Sequence, residues 1–255
     1  MKDRVVVVTG ASAGIGASLV LELARRGART VLVARRADAL ESIRARVGED
    51  ALAVVADVTR REDHARIVEA TIARFGGVDA WVNNAGRGIS RLPSEITDED
   101  FDEMMLVNVK SALYGVQAIL PYFRSRGVGH VVNVSSMLGR VPFAPIRSAY
   151  SAAKHALNSL SANLRMELTP EKILVSVVHP GVVATEFGAN ALHGGMDSRA
   201  MPGAQPPEEV AAVIADTIEH RRADVYTRPG AREMVAAYYA AEDLAVVESR
   251  PPFAR

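Results

Sequence analysis

The stretch Thr9-Gly-Ala-Ser-Ala-Gly-Ile-Gly16 connects four consecutive valines at positions 5–8 to a segment with apolar residues at Ile15, Leu19 and Leu23. A β-branched run predicts a strand, and apolar residues spaced by four predict a helix. Glycines allow the backbone to turn sharply and to approach a phosphate, and the following helix offers N–H groups and the positive end of its dipole. The stretch therefore favours a dinucleotide site, with the glycine spacing G-x-x-x-G-x-G.

Two other interpretations of this turn are open. Gly10-Ala-Ser-Ala-Gly14 also matches the G-x-S-x-G nucleophile elbow of α/β-hydrolases. An elbow requires an earlier strand whose loop completes the oxyanion hole, but only nine residues precede Gly10, and an elbow has no use for Gly16. A glycine-rich turn without a ligand is disfavoured because three glycines in seven residues cost chain entropy.

Apolar, β-branched runs alternate with helical patterns along the chain. Strands that are apolar along both faces are typical of a parallel sheet that helices cover on both sides. Regular alternation therefore predicts an α/β fold with a doubly wound parallel sheet. The predicted strands are residues 4–9, 30–34, 51–56, 79–83, 130–135, 173–179 and 224–227, and the predicted helices are residues 15–26, 37–47, 60–75, 98–123, 148–168, 208–219 and a last one from 231 onward.

No linker rich in Gly, Pro or Ser divides the chain before about residue 188, which predicts one domain over residues 1–255. Four Gly and three Pro then fall within residues 188–207, which predicts a loop. Residues 186–205 are interpreted as a mobile lid over a substrate. Residues 229–255 are interpreted as a tail that packs on the domain or on a partner.

Charge and composition exclude several classes of function. The chain has 30 Lys and Arg against 30 Asp and Glu residues, and this formal net charge of zero argues against nucleic-acid binding. The absence of cysteine excludes disulfides, thiolate nucleophiles and iron–sulfur clusters, and the six histidines show no metal-ligand spacing, so no metal is expected. The apolar runs are too short for a membrane span or a signal peptide. We expect a cytoplasmic protein without nucleic-acid or membrane partners.

Further motifs follow the glycine-rich turn at strand ends and helix starts. They are Asp57-Val58, Asn83-Asn-Ala-Gly86, Asn108, Ser136 in Asn133-Val-Ser-Ser-Met-Leu-Gly139, Tyr150-Ser-Ala-Ala-Lys154 and Pro180-Gly-Val-Val-Ala-Thr185. In this order the set resembles the short-chain dehydrogenase/reductase family over residues 4–187. The resemblance implies a Rossmann fold of three αβα layers with strand order 3-2-1-4-5-6-7. It also implies an NAD(P)-dependent oxidoreductase that acts on CH–OH or C=O groups.

Tyr150 and Lys154 lie four residues apart in a predicted helix and therefore share one face. A lysine cation favours the phenolate and is expected to lower the phenol pKa from about 10. Such a tyrosine can give a proton to a carbonyl oxygen or take one from an alcohol. Of the six tyrosines, only Tyr150 has a lysine at this spacing, whereas Tyr122 has Arg126 near the end of a long predicted helix.

The resemblance assigns roles to the remaining catalytic candidates. Ser136, rather than Ser135, would hydrogen-bond the substrate oxygen, and Lys154 would also bind the nicotinamide ribose. Asn108 would hold a water that relays protons to Lys154. The alternative for Asn108 is a buried side chain that bonds only to neighbouring backbone.

The resemblance also assigns the cofactor contacts. They are Gly10, Ser12, Ala13, Gly14, Ile15, Gly16, Asp57, Val58, Asn84, Ala85, Gly86, Tyr150, Lys154, Pro180, Gly181, Val183 and Thr185. Asp57 would accept a hydrogen bond from the adenine amino group, with Val58 on the ring. Alternatively, Asp57 is only an N-cap for the helix predicted at 60–75.

The end of the second predicted strand favours NADP over NAD. An NAD enzyme places a carboxylate there for the ribose 2′-hydroxyl, but this chain has Ala34 followed by Arg35 and Arg36. Guanidinium groups bind a phosphate with paired N–H donors. Ala13 occupies the place where many NADP-preferring relatives carry a second basic residue, and a solvated arginine pair is the alternative.

The substrate pocket is expected between residues 87–92, 138–146 and 185–200. Its apolar residues suit a ketone or alcohol with hydrocarbon bulk, whereas Arg87, Arg91 and Arg147 could meet a carboxylate, and both possibilities remain open. By resemblance, the predicted helices 98–123 and 148–168 form the interface of a homodimer or homotetramer. The alternative function is an NADP(H)-binding sensor, which has no need of Ser136, Tyr150 and Lys154 together.

Overall fold

Strands and helices alternate in the computed structural model, which describes residues 1–249. The strands are β1 (Val5–Thr9), β2 (Arg29–Ala34), β3 (Ala51–Val55), β4 (Ala80–Asn83), β5 (Gly129–Val134), β6 (Ile173–His179) and β7 (Asp224–Tyr226). The helices are α1 (Gly14–Arg25), α2 (Ala37–Val47), α3 (Arg61–Phe75), α4 (Asp98–Met105), α5 (Ser111–Arg126), α6 (Ser148–Leu168), α7 (Pro207–His220), α8 (Ala231–Tyr239) and α9 (Leu244–Glu248). Apart from the helices predicted at 98–123 and from 231 onward, every predicted end lies within one residue of the observed one.

The seven strands form one sheet in the order β3-β2-β1-β4-β5-β6-β7. Every neighbouring pair is parallel, so the carboxyl ends of all strands lie along one edge. The predicted doubly wound sheet and its strand order are confirmed. The order reverses between β1 and β4, which is where a crevice opens in folds of this kind.

Successive side chains of β1 point to opposite faces of the sheet and enter two separate cores. Val6 and Val8 pack in a buried cluster with side chains of α1, α2 and α7. Val5 and Val7 pack in a second cluster with side chains of α3, α5 and α6. The sheet is therefore the middle of three layers, as predicted. None of the helices within residues 1–249 is long and apolar enough to cross a bilayer.

The prediction of one uninterrupted helix over residues 98–123 is wrong. A π-helical turn, Leu106–Lys110, separates α4 from α5 and contains Asn108. A π turn adds a residue to the helical repeat and is often found where a side chain is needed at a functional site. Asn108 bonds to backbone outside its own helix, which gives the extra residue a structural purpose.

The described part of the tail forms two helices instead of the single one predicted. The side chain of Asp243 accepts a hydrogen bond from Ala245 N at 2.9 Å and starts α9. Tyr238 of α8 packs with Met137 and Val141, which follow β5. The tail therefore packs on the domain itself up to residue 249, and residues 250–255 lie outside the described residues.

Candidate active site

The ends of β1 and β4 are joined by the side chain of Thr9. Its Oγ1 accepts hydrogen bonds from Asn84 N at 3.0 Å and Ala85 N at 3.1 Å, and it donates to Val82 O at 3.2 Å. Asn84 Nδ2 returns a bond to Thr9 O at 2.9 Å. Two of the predicted motifs are thus held together at the point where the strand order reverses. Sequence reasoning missed Thr9, because its bonds depend on residues about 75 positions away.

The glycine-rich turn packs too closely for side chains. Gly10 has a φ of +67°, and a Cβ built on it would lie 2.8 Å from Ala85 Cα. A Cβ on Gly16 would collide with Gly10 O. Helix α1 follows with Ala13 as its N-cap, with no side-chain cap and no acidic residue in its first turn. Its first N–H groups are left for an anion, so the turn fits the pyrophosphate of a dinucleotide.

Arg36 contacts this turn directly. Its Nη2 lies 3.2 Å from both the carbonyl oxygen and the Oγ of Ser12. Ser12 is therefore paired with an arginine and not with the histidine that a nucleophile elbow requires. Arg35 is exposed beside it, directly after Ala34 at the end of β2.

Asp57 lies at the end of β3 and is not the N-cap of α3, which is Arg60. Its Oδ1 accepts from Thr59 N at 3.0 Å and Thr59 Oγ1 at 2.8 Å. Val58 is fixed by its carbonyl, which lies 2.8 Å from His64 Nε2. The N-cap alternative for Asp57 is therefore wrong, and the adenine contact stays a prediction.

The loop after β6 closes the same edge. A Cβ built on Gly14 would lie 3.0 Å from the Thr185 methyl group, so this loop touches the glycine-rich turn. Val182 O accepts from Gln205 N at 2.9 Å and from Arg228 Nη2 at 3.0 Å. These two distant residues hold the loop that carries the predicted residues Pro180, Gly181, Val183 and Thr185, and no sequence signal marks them.

Ser136, Tyr150 and Lys154 meet in a buried cluster between β5 and the start of α6. Tyr150 is 8% exposed and Lys154 is 3% exposed. Ser136 lies close enough to Tyr150 to lower the pKa of its phenol, and Lys154 Nζ lies 5.6 Å from the centre of the Tyr150 ring. Ser135 instead lies against the carbonyl of Lys154, at 3.5 Å. The structure thus brings three of the four predicted catalytic residues together.

Burial dominates the protonation of this cluster. It raises the pKa of Tyr150 to about 12, although Ser136 and the charge of Arg147 oppose the shift. It lowers the pKa of Lys154 to about 8, and Lys154 Nζ donates to Val134 O at 3.0 Å. The expectation that Lys154 lowers the pKa of Tyr150 is therefore wrong in this structure. Tyr150 keeps its proton at neutral pH and is available as an acid.

Asn108 is hydrogen-bonded to backbone groups, as the alternative interpretation of this residue predicts. Its Oδ1 accepts from Arg87 N at 3.2 Å, and its Nδ2 donates to Arg87 O and Met104 O, both at 3.0 Å. A Cβ on Gly86 would lie 2.9 Å from Asn108 Oδ1 and 3.6 Å from Lys154 Nζ. Asn108 thus lies beside Lys154 with only Gly86 between them, and its part in a proton relay stays a prediction.

Comparison with known proteins identifies the family. The family described as short chain dehydrogenase matches residues 4–194. An uncharacterized oxidoreductase of Staphylococcus saprophyticus is 38% identical over 190 residues, which cover 73% of this chain and 77% of the relative. The uncharacterized oxidoreductase YxnA of Bacillus subtilis is 38% identical over 237 residues, which cover 89% of this chain and 65% of the relative. The chain belongs to the short-chain dehydrogenase/reductase family and is an NAD(P)-binding oxidoreductase.

Solved structures agree in fold. A short-chain dehydrogenase/reductase from Burkholderia phymatum in complex with NAD superposes with a TM-score of 0.86 at 24% identity, over 96% of this chain and 95% of that chain. A 3-ketoacyl-(acyl-carrier-protein) reductase from Brucella melitensis complexed with NADH has a TM-score of 0.79 at 29% identity, over 89% and 98%. The closed form of a serine dehydrogenase complexed with NADP+ has a TM-score of 0.81 at 26% identity, over 88% and 94%.

Proposed function

We propose that the protein is an NADP(H)-dependent oxidoreductase that interconverts a carbonyl compound and its secondary alcohol. The observation that carries this proposal is the buried cluster of Ser136, Tyr150 and Lys154 at the carboxyl edge of the sheet. A binding module would need the glycine-rich turn but not a protonated phenol beside a hydroxyl and an amine.

The chemistry follows from the arrangement of these groups. A bound nicotinamide cofactor supplies or accepts the hydride. Ser136 donates a hydrogen bond to the substrate oxygen and holds it against Tyr150. Tyr150 gives its proton to that oxygen as negative charge develops, and in the reverse direction it takes the proton from the alcohol. Lys154 lies beneath the phenol, where its ammonium group can donate to a ribose hydroxyl.

The preference for NADP is supported by this chain's own residues. No carboxylate ends β2, where Ala34 stands. Arg35 and Arg36 follow, and Arg36 contacts the glycine-rich turn. A 2′-phosphate bound at the end of β2 would meet guanidinium donors. The ribose 2′-hydroxyl of NAD would find no carboxylate there to accept its hydrogen bond. Structural neighbours are complexed with NAD, NADH or NADP+, so the assignment depends on Arg35 and Arg36.

The test is oxidation of NADPH and NADH against a panel of ketones, aldehydes and quinones, followed through the nicotinamide absorbance. Tyr150→Phe keeps the ring and its packing but deletes the acid. We expect turnover to fall by about 10²–10⁴, with cofactor affinity little changed. Tyr122→Phe is the matched control, because Tyr122 OH lies against Gly77 at the opposite edge of the sheet. A Tyr150→Phe variant with near wild-type turnover would contradict the mechanism.

A further inference from the structure

Three arginines lie along the predicted substrate pocket, and two of them are neutralised by carboxylates. Arg87 Nη1 lies 3.3 Å from Glu103 Oε1. Arg91 Nη1 lies 2.7 Å from Asp100 Oδ2, and the Asp100 side chain is buried. Neither guanidinium therefore offers a net charge to a ligand.

Arg147 differs from both. It is half-buried, and its Nη1 donates to Ile89 O at 2.9 Å. No carboxylate within residues 1–249 lies at ion-pair distance from it. Burial lowers the pKa of Arg147, which is the cost of removing a cation from water without a counter-ion. This unpaired charge lies three residues before Tyr150 in the sequence.

The guanidinium of Arg147 lies close to Tyr150, the proposed acid. A Cβ built on Gly88 would lie 3.0 Å from both Arg147 Nη1 and Phe187 Cε1. The Phe187 ring lies 5.5 Å from the Tyr150 ring in an edge-to-face arrangement. The Arg147 guanidinium, the Phe187 ring and the Tyr150 phenol therefore lie side by side.

Gly195 packs against both Ser90 and Arg147. A Cβ built on Gly195 would lie 2.8 Å from Ser90 Oγ and 3.1 Å from Arg147 Nη2. Ser90 Oγ is buried and has no hydrogen-bond partner among the described residues. Because Gly195 fills the space beside Ser90 Oγ, this hydroxyl is closed off from a ligand, and Arg147 is the group that can meet an anion.

We propose, on the basis of the proposed function, that Arg147 binds a carboxylate of the substrate. The substrate class is then an oxo acid or the corresponding hydroxy acid, with hydrocarbon bulk that packs on Phe187. The carboxylate completes the ion pair that Arg147 lacks. The carbonyl of the same molecule reaches Ser136 and Tyr150.

The experiment compares acids with their methyl esters. The probes are 4-oxo-4-phenylbutanoate and 5-oxo-5-phenylpentanoate, each beside its ester, measured by calorimetric binding to the NADP+-loaded enzyme and by NADPH oxidation. Wild-type enzyme should prefer the acids at least tenfold. Arg147→Gln, which keeps a donor for Ile89 O, should reduce the acid-to-ester ratio by about tenfold to hundredfold. Ser90→Ala removes a hydroxyl that Gly195 closes off and should leave the ratio unchanged.

Two further variants make the result specific. Arg147→Lys retains a charge and should give an intermediate ratio, which also guards against misfolding of the Gln variant. Arg87→Gln removes a charge that Glu103 already pairs, so it should leave the ratio unchanged. Circular dichroism checks the fold of each variant.

The failures are distinguishable. A wild-type enzyme that binds ester as well as acid overturns the carboxylate site and leaves the proposed function intact. Equal loss of acid and ester turnover in Arg147→Gln, with an unchanged binding ratio, overturns it too, because Arg147 would then act only on the Tyr150 proton. A wild-type enzyme that reduces no carbonyl of any kind with NADPH or NADH overturns the proposed function itself.

Discussion

At the scale of single residues, burial of the Lys154 amine lowers the stability of the fold, and the proposed role of this lysine in catalysis explains its position. Lys154 is 3% exposed, and its Nζ has one hydrogen-bond partner among the described residues, the carbonyl of Val134. Burial lowers its pKa from 10.5 to about 8, so folding disfavours the charged form that binds hydroxyl groups best. At neutral pH this shift costs about 3 kcal/mol of stability.

Lys154→Met should therefore make the protein more stable and less active. Between pH 8 and 10.5 the unfolded lysine holds a proton that the folded one has lost, so the wild-type free energy of unfolding rises with pH in that window. The variant should lack this rise and should gain about 2 kcal/mol at pH 7, after loss of the Val134 bond. Urea denaturation of both proteins at pH 7, 8.5 and 10 measures the difference. A variant less stable than wild type at pH 7 would refute this account.

The choice between NADP and NAD also depends on single residues. Arg35→Ala should raise the KM for NADPH by about tenfold to hundredfold, the worth of a charge-assisted hydrogen bond, and leave the KM for NADH nearly unchanged. Arg36→Ala should in addition raise the KM for NADH slightly, because Arg36 supports the turn at Ser12. Arg46→Ala, on the exposed face of α2, is the control. Unaltered NADPH preference in both arginine variants would contradict the assignment.

The sequence predicts which residues carry chemistry better than it predicts their partners. Tyr150 and Lys154 stand out because a phenol and an amine one helical turn apart have a chemical meaning wherever the helix lies. Arg147 does not stand out, because its lack of a carboxylate partner depends on how Arg87 and Arg91 are paired in three dimensions. The dominance of burial over charge at Tyr150 likewise requires the packed structure.

At the scale of elements, periodicity predicts almost everything except local irregularity. The start of α4 is encoded by Thr97 and Asp100, which form a capping box. The π-helical turn around Asn108 has no such signal, because one extra residue barely alters an apolar pattern of period 3.6. The turn is recognised only when the bonds from Asn108 to Arg87 are seen.

The proposed lid over residues 186–205 is tied down at two places. Leu192 pairs with the neighbouring strand-like segment through Gly88 O at 2.8 Å, and His193 Nε2 lies 2.7 Å from Asp100 Oδ1. Gln205 fixes the other end through Val182 O. The segment between these ties comprises residues 194–204, and its first part, residues 194–201, includes the 66%-exposed Met196. Mobility is therefore expected between the ties rather than along the whole loop.

Hydrogen exchange tests this division. Amides at 194–201 should exchange faster than those at 188–193 in the free enzyme, and they should slow when NADP+ and an oxo acid are both bound. His193→Ala removes the tie to Asp100 and should speed exchange at 188–193. Exchange that is equally slow in the free and ternary states would contradict a lid.

At the scale of the whole molecule, the buried histidines set its response to acid. His64, His130 and His179 are at most 5% exposed, and burial lowers the pKa of each, to about 4 for His130. His130 Nε2 lies 2.7 Å from Ser176 Oγ, whose single hydrogen is directed at Arg222 O. Nε2 therefore donates, and the pKa of about 4 keeps the ring neutral at neutral pH. No local sequence pattern predicts this, because the burial comes from three layers closing over the sheet.

Acid should therefore destabilise the fold well before the carboxylates titrate. An unfolded histidine binds its proton near pH 6.5, whereas folded His130 binds it near pH 4. Between these values the unfolded chain holds more protons, so the free energy of unfolding falls as pH is lowered, by about 3 kcal/mol for His130 alone. Asp224 acts in a separate pH range. Burial alone would raise the pKa of this carboxyl, but His179 and Arg140 lower it to about 2. The stability that Asp224 contributes is therefore lost only between about pH 4 and 2.

His130→Gln isolates the upper window, since glutamine keeps a donor for Ser176 and cannot titrate. Its free energy of unfolding should vary less between pH 6.5 and 4 than that of the wild type, by about 3 kcal/mol over the interval. His220→Gln, on the exposed end of α7, should follow the wild-type curve. Urea denaturation followed by circular dichroism at half-unit steps of pH gives the three curves. If His130→Gln keeps the wild-type slope, the proton uptake of unfolding in this range comes from other groups, and burial of His130 does not control acid stability.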